Sequence, residues 1–100
     1  MQITKIKWID SAKKDLREIN TYIKSQSPKF AKIQIQRIFE QVDKLKQFPF
    51  IGLVLPEHND ENIRYILFGA YRIIYLLIEN EVHIIRVWHN ARDFNPEDDL

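Results

Sequence analysis

The chain has 100 residues, a formal net charge of +1, 45% hydrophobic and 29% charged residues, two glycines, four prolines and no cysteine. That balance describes one soluble globular domain and excludes disorder and low complexity, while the lack of cysteine excludes a disulfide framework, a thiolate metal site and a cysteine nucleophile. The charge is unevenly placed: residues 1–50 hold eleven Lys/Arg against five Asp/Glu, residues 51–100 hold four Arg against nine Asp/Glu, and no lysine follows Lys46.

In chain order, Ile3 to Ile9 is β-branched and roughly alternating, which predicts a strand, at a sheet edge because of its lysines. Asp10 or Ser11 is placed to cap a helix, in which Ala12, Leu16, Ile19, Tyr22 and Ile23 share one face, ending near Ser25. Ser27-Pro28 opens a second helix, with a serine cap and a proline preset for the first turn. Ala31, Ile35, Ile38, Val42 and Leu45 form its stripe, and Phe48-Pro49 stops it. So short a link makes the two helices an antiparallel hairpin whose stripes need a sheet to cover.

Residues 50–62 have turn formers and no period, and are expected to be a connecting loop. Three strands follow, Ile63–Phe68, Tyr71–Ile78 and Val82–His89, with turns at Gly69 and at Glu79-Asn80-Glu81. The middle one is apolar on both faces, which predicts a central position. Alternation places Arg72, Ile74 and Leu76 opposite Tyr71, Ile73, Tyr75 and Leu77. It also places His83, Ile85, Val87 and His89 opposite Val82, Ile84, Arg86 and Trp88. The expected fold is α+β, in the order β-α-α-β-β-β, with the helical hairpin on one face of a mostly antiparallel sheet. Residues 1–92 form its single domain, and residues 93–100 are an acidic tail expected to be poorly ordered. No apolar run approaches the ~20 residues of a membrane span and no signal pattern follows Met1, so a cytoplasmic protein without membrane contact is expected.

For chemistry, two glycines cannot build a phosphate loop. His83 and His89 lie six apart on one strand and His58 lies in a loop, so no metal ligand set is expected, and no cofactor. Arginine is a fixed planar donor for phosphate, and histidine a proton carrier. Arg72, Arg64, Arg86 and His89 are therefore the candidates for an anion-binding, acid–base site. Arg72, taken to lie at an exposed strand end, is expected to contribute little packing.

The ordered set Trp8, Ala12, Asp15-Leu16, Ile19, Tyr22-Ile23, Ser27-Pro28, Ala31, Leu45, Phe48-Pro49, Gly52, Ile63-Arg64, Tyr71-Arg72-Ile73-Ile74-Tyr75 and Ile84 to His89 with Arg92-Asp93 resembles the RelE/ParE superfamily of toxins from bacterial type II toxin–antitoxin systems. The resemblance implies a growth-arresting toxin neutralised by a cognate antitoxin lying over the hairpin groove and adding to the sheet edge. It leaves the assembly open between a homodimer and a heterotetramer with antitoxin. ParE-like members imply inhibition of DNA gyrase, which is binding without catalysis. RelE-like members imply cleavage of mRNA on the ribosome, with Arg72 stabilising phosphate and His89 as acid or base. Such cleavage needs a base, an acid and cations for the developing charge. The lysine base of RelE has no counterpart after Lys46, and Glu57 is the only replacement in view, so the ParE-like reading is favoured. A plain protein-interaction module is the third reading, with Lys13, Lys14, Arg17 and Arg37 on exposed helix faces to meet an acidic partner.

Overall fold

The computed structural model describes residues 2–100. Strand β1 (Lys5–Trp8) leads into helices α1 (Asp10–Gln26) and α2 (Pro28–Asp43) and a 3-10 turn (Lys44–Lys46). Strands β2 (Leu53–Val54), β3 (Ile63–Phe68), β4 (Tyr71–Ile78) and β5 (Glu81–His89) follow, then a helical turn, α3 (Pro96–Asp99). The five strands form one sheet in the order β1-β5-β4-β3-β2. β1 runs parallel to β5 and every other pairing is antiparallel. β1 is an edge strand and β4 is central, as its two apolar faces require.

Ser27 serves both helices. Its amide donates to Ile23 O of α1 at 2.8 Å, and its hydroxyl accepts from the Phe30 amide of α2 at 3.2 Å. The start of α1 differs from expectation: Ile9 is the cap residue and no side chain caps the helix. Ser11 instead donates to Ile85 O, 2.8 Å away on β5. That bond ties the first turn of α1 to the stretch of β5 that β1 leaves uncovered.

Ile73, Tyr75 and Leu77 of β4 pack against Ala12, Ile19, Ile38 and Val42 of the helices, while Ile74 packs with Leu55, Ile63 and Trp88 on the other face. β5 departs from simple alternation. The register passes from Ile74↔Arg86 to Tyr75↔Ile84, leaving Ile85 as an extra residue. This bulge resets the faces: Ile84 and Val87 both join the helix-side core, and Ile85 and Trp88 both join the outer cluster. The expected face of His83, Ile85, Val87 and His89 is therefore broken in the middle.

Two further expectations are corrected. The segment expected to be a plain connecting loop contains β2, which pairs Leu53 with Tyr65 and Val54 with Arg64. The order is thus β-α-α-β-β-β-β. Gly52 makes that pairing reachable, since a Cβ there would lie 2.5 Å from the Tyr75 hydroxyl and 2.8 Å from Tyr65 O. The acidic tail also folds: Asn95 caps α3 by accepting from the Glu97 amide, and Phe94 stands edge-on to Trp88 at 5.2 Å. Two acidic residues within the tail, Asp98 and Asp99, bond back to Asn95.

Candidate functional site

The sheet disperses the four residues singled out in the sequence. Arg72 lies on the outer face, where its guanidinium makes a two-pronged contact with Glu57, at 3.1 and 2.8 Å. The same group lies over Tyr65 and Phe94, 5.4 and 5.5 Å from the ring centroids. With only 14% of its side chain exposed, Arg72 is a packed residue and not an open strand-end cation, contrary to expectation. Its hydrogen bonds to Glu57 hold that carboxyl below the usual glutamate range. A carboxylate so stabilised is a weaker proton acceptor than a free one.

Arg86 reaches past the edge of β5 to Asp15 of α1, Nε to Oδ2 at 2.7 Å and Nη2 to Oδ1 at 2.8 Å. The bulge turns the Val87 amide toward the same carboxylate, at 3.0 Å. Arg86 Nη1 also donates to Asp99 O at 2.7 Å, and the guanidinium lies 4.8 Å over Trp88. Pairing with Asp15 raises the Arg86 pKa further. Among the sequence expectations Asp15 had no role beyond a family position. Its signal is its spacing, because three residues after Ala12 and four before Ile19 it falls on the buried stripe of α1.

Arg64 belongs to the β2–β3 corner. Its Nη1 donates to Gly52 O at 2.9 Å and Phe50 O at 3.4 Å, and its Nε donates to Glu61 O at 2.8 Å. His89 is on the helix side of the sheet, in an open cleft of about 420 Å³ lined by Asp15, Tyr22, Tyr71 and Arg92. Its Nδ1 accepts the Ala91 amide at 3.0 Å, and its ring stands edge-on to Tyr71 at 5.1 Å. With Nδ1 used as acceptor, the neutral imidazole carries its proton on Nε2 and offers the cleft a donor. Burial, then the neighbouring Tyr22, pushes the Tyr71 hydroxyl above its usual range. His83 sits 2.8 Å from Glu81, and His58 lies in the loop beside Glu57. The sheet therefore separates His89 from Arg72, and protein groups already engage each of the three arginines.

A different surface is open. Between α1 and α2 runs a groove of about 720 Å³, floored by Trp8, Leu16, Ile35 and Phe39 and flanked by Lys13, Arg17, Lys24 and Lys32. Trp8 and Phe39 meet edge-on at 5.2 Å. Among the described residues no ion pair engages these four cations. Lys13, Lys14, Arg17 and Arg37 are all exposed on the helices, as the sequence predicts; of these Lys13 and Arg17 line the groove, together with Lys24 and Lys32. The groove joins apolar floor to basic rim, a combination that suits an amphipathic acidic helix.

The family model of the ParE toxin of type II toxin–antitoxin systems, parDE, matches residues 6–94. The fold is similar to a solved chain of the chromosomal ParDE toxin–antitoxin system from P. aeruginosa, with a TM-score of 0.71 and 24% identity over 87% of this chain and 96% of that one. No curated protein matches the chain. No helix among the described residues is long and apolar enough to cross a membrane.

Proposed function

Since this chain belongs to the ParE toxin family of type II toxin–antitoxin systems, we propose that it arrests bacterial growth in the cytoplasm by binding and inhibiting DNA gyrase, without catalysis of its own, until a cognate antitoxin neutralises it. One observation carries the non-catalytic reading. Two of the cations that the sequence offers for RNA cleavage are committed to internal partners, Arg72 to Glu57 and Arg86 to Asp15, and His89 lies across the sheet from Arg72, sharing its cleft with Arg92 instead. Phosphoryl chemistry requires cations and an acid–base group to converge on one oxygen cluster, and Arg72, Arg86 and His89 do not converge.

The α1–α2 groove is the seat we assign to the antitoxin. Apolar side chains of an amphipathic helix would fill the floor between Leu16 and Phe39, and its carboxylates would meet Lys13, Arg17, Lys24 and Lys32. Charged rims of this kind accelerate association and make it salt-sensitive.

The test is a paired assay of the purified chain, gyrase supercoiling with cleavage-complex formation beside ribosome-dependent mRNA cleavage. The proposal expects loss of supercoiling with intact mRNA. Cut mRNA with normal supercoiling would replace it with the ribonuclease reading and return Arg72 and His89 to the centre of the mechanism.

A further inference from the structure

The two ends of the α1–α2 groove differ. Trp8 comes just before α1 and stands edge-on to Phe39 at 5.2 Å, so these rings mark the end farthest from Ser27, where the helices join. Leu16 and Ile35 continue the apolar floor from there. Phe39 is 42% exposed, which leaves much of its ring for a partner. At the Ser27 end the lining holds no large apolar side chain, only Asn20 and Lys24 of α1 with Pro28 and Lys32 of α2.

Only the Ser27 end has a cation on both walls. On α1, Lys13, Arg17 and Lys24 spread their charge over about 16 Å, three helical turns, whereas Lys32 is the single cation that α2 brings to the lining. An antiparallel hairpin sets the last turns of α1 beside the first turns of α2. Lys24 and Lys32 therefore bracket the groove near the link, while Ile35 and Phe39 lie toward the other end. The Ser27 amide closes α1 and its hydroxyl caps α2, so a helix C-terminus and a helix N-terminus meet there and their end charges offset. The two lysines then set the sign of this end.

A bound helix has ends of opposite sign. Its last four carbonyls lack partners within the helix and carry about half an elementary negative charge, and its first four amides carry the opposite. Ammonium groups beside the last turn attract it and supply donors to those carbonyls. Beside the first turn they repel. Burial of apolar side chains has no such direction.

We propose that the groove is polarised and seats an acidic amphipathic helix of about three turns in one direction, with its C-terminal end between Lys24 and Lys32 and its N-terminal half on Trp8 and Phe39. The inference rests on the assignment of this groove to the antitoxin. It makes Lys24 and Lys32 the residues that choose orientation, and the aromatic pair the anchor that supplies affinity.

The probe is a stapled helical peptide of about fifteen residues, with leucine along one stripe, glutamate along the next, neutral capped termini and a nitroxide at one end or the other. The chain has two tryptophans, Trp8 in the groove and Trp88 in the outer cluster of the sheet, and their indole N–H resonances are separate reporters. The N-terminal nitroxide should bleach Trp8, the C-terminal one should spare it, and Trp88 should survive both. Lys24→Gln with Lys32→Gln, both at exposed positions, should weaken binding about tenfold and let either label bleach Trp8, with an unchanged circular dichroism spectrum. Equal bleaching of Trp8 by both labels on the unaltered chain, bleaching by the C-terminal label alone, or an orientation that survives the double substitution overturns the direction and leaves the seat standing. A peptide that does not bind, or that binds without affecting Trp8, overturns both.

Discussion

The outer sheet face and the helical hairpin groove contain the same ingredients, cations beside aromatic rings, and use them in opposite ways. On the sheet, Arg72 and Arg86 stack on Phe94 and Trp88 and are each held by a carboxylate. In the groove, Lys13, Arg17, Lys24 and Lys32 flank Trp8 and Phe39 without an internal partner among the described residues. A cation whose hydrogen bonds end inside the molecule supports the fold, and one left with water is free to meet another molecule. The difference also follows residue type, because arginine's planar fork suits a fixed two-pronged pair and lysine's flexible stem suits a solvated rim.

The largest test of this division is Asp15→Ala. It leaves the Arg86 guanidinium and the Val87 amide without their acceptor at a site where both side chains are less than a fifth exposed. Unfolding in urea should show a loss of about 3 kcal/mol, as breaking one side of a buried pair does. A loss below about 0.5 kcal/mol, the range of an ordinary surface change, would mean that the arginine is not committed to the fold.

Reversal of the groove rim by Lys13→Glu with Arg17→Glu should do the converse. Stability should stay within about 0.5 kcal/mol because both residues are exposed, while antitoxin affinity, measured by calorimetry, should fall about 100-fold, roughly 2.7 kcal/mol. Unchanged affinity would place the antitoxin elsewhere.

Glu57 gives a smaller, pH-dependent effect. Its native pKa lies below the ordinary value of 4.5, chiefly through hydrogen bonds from Arg72, so its contribution is complete above pH 4.5 and is lost as pH falls through the lowered native value. Glu57→Gln should therefore lower the melting temperature slightly at neutral pH and not at all below the native pKa. A difference that persists in strong acid would separate the effect from ionisation. The smallest expected effect is that of His89→Ala, which should leave growth arrest unchanged; loss of arrest with a folded protein would break the non-catalytic reading.

The local elements were legible because they rest on nearest-neighbour physics. The stripe of Ala12, Leu16, Ile19 and Ile23, from which Tyr22 departs by staying exposed, and the Ser27-Pro28 start draw on helix periodicity and capping, and Glu79-Asn80 forms a turn with both residues at positive φ, 50° and 63°. β2 was not legible, since two residues have no period to read and their pairing depends on Gly52 admitting the Tyr75 hydroxyl. Of the candidate site, the sequence supplied residue types and membership of a shared strand region. It missed Glu57 as the partner of Arg72, fifteen residues away, because an ion pair between a loop and a strand leaves no spacing signal.

The sequence by itself determined the helical hairpin, the central β4, the surplus of cations in the first half and the family pattern, all carried by local composition and order. Only the tertiary structure decided which cations are spent and which are free. The one-residue bulge at Ile85 moves Val87 onto the helix-side core and brings the Val87 amide and Arg86 to Asp15, and the folded-back tail lays Phe94 beneath Arg72. Strand alternation fixes a face only until a bulge shifts it, and the charge that meets an arginine is chosen by the packing of segments distant in sequence.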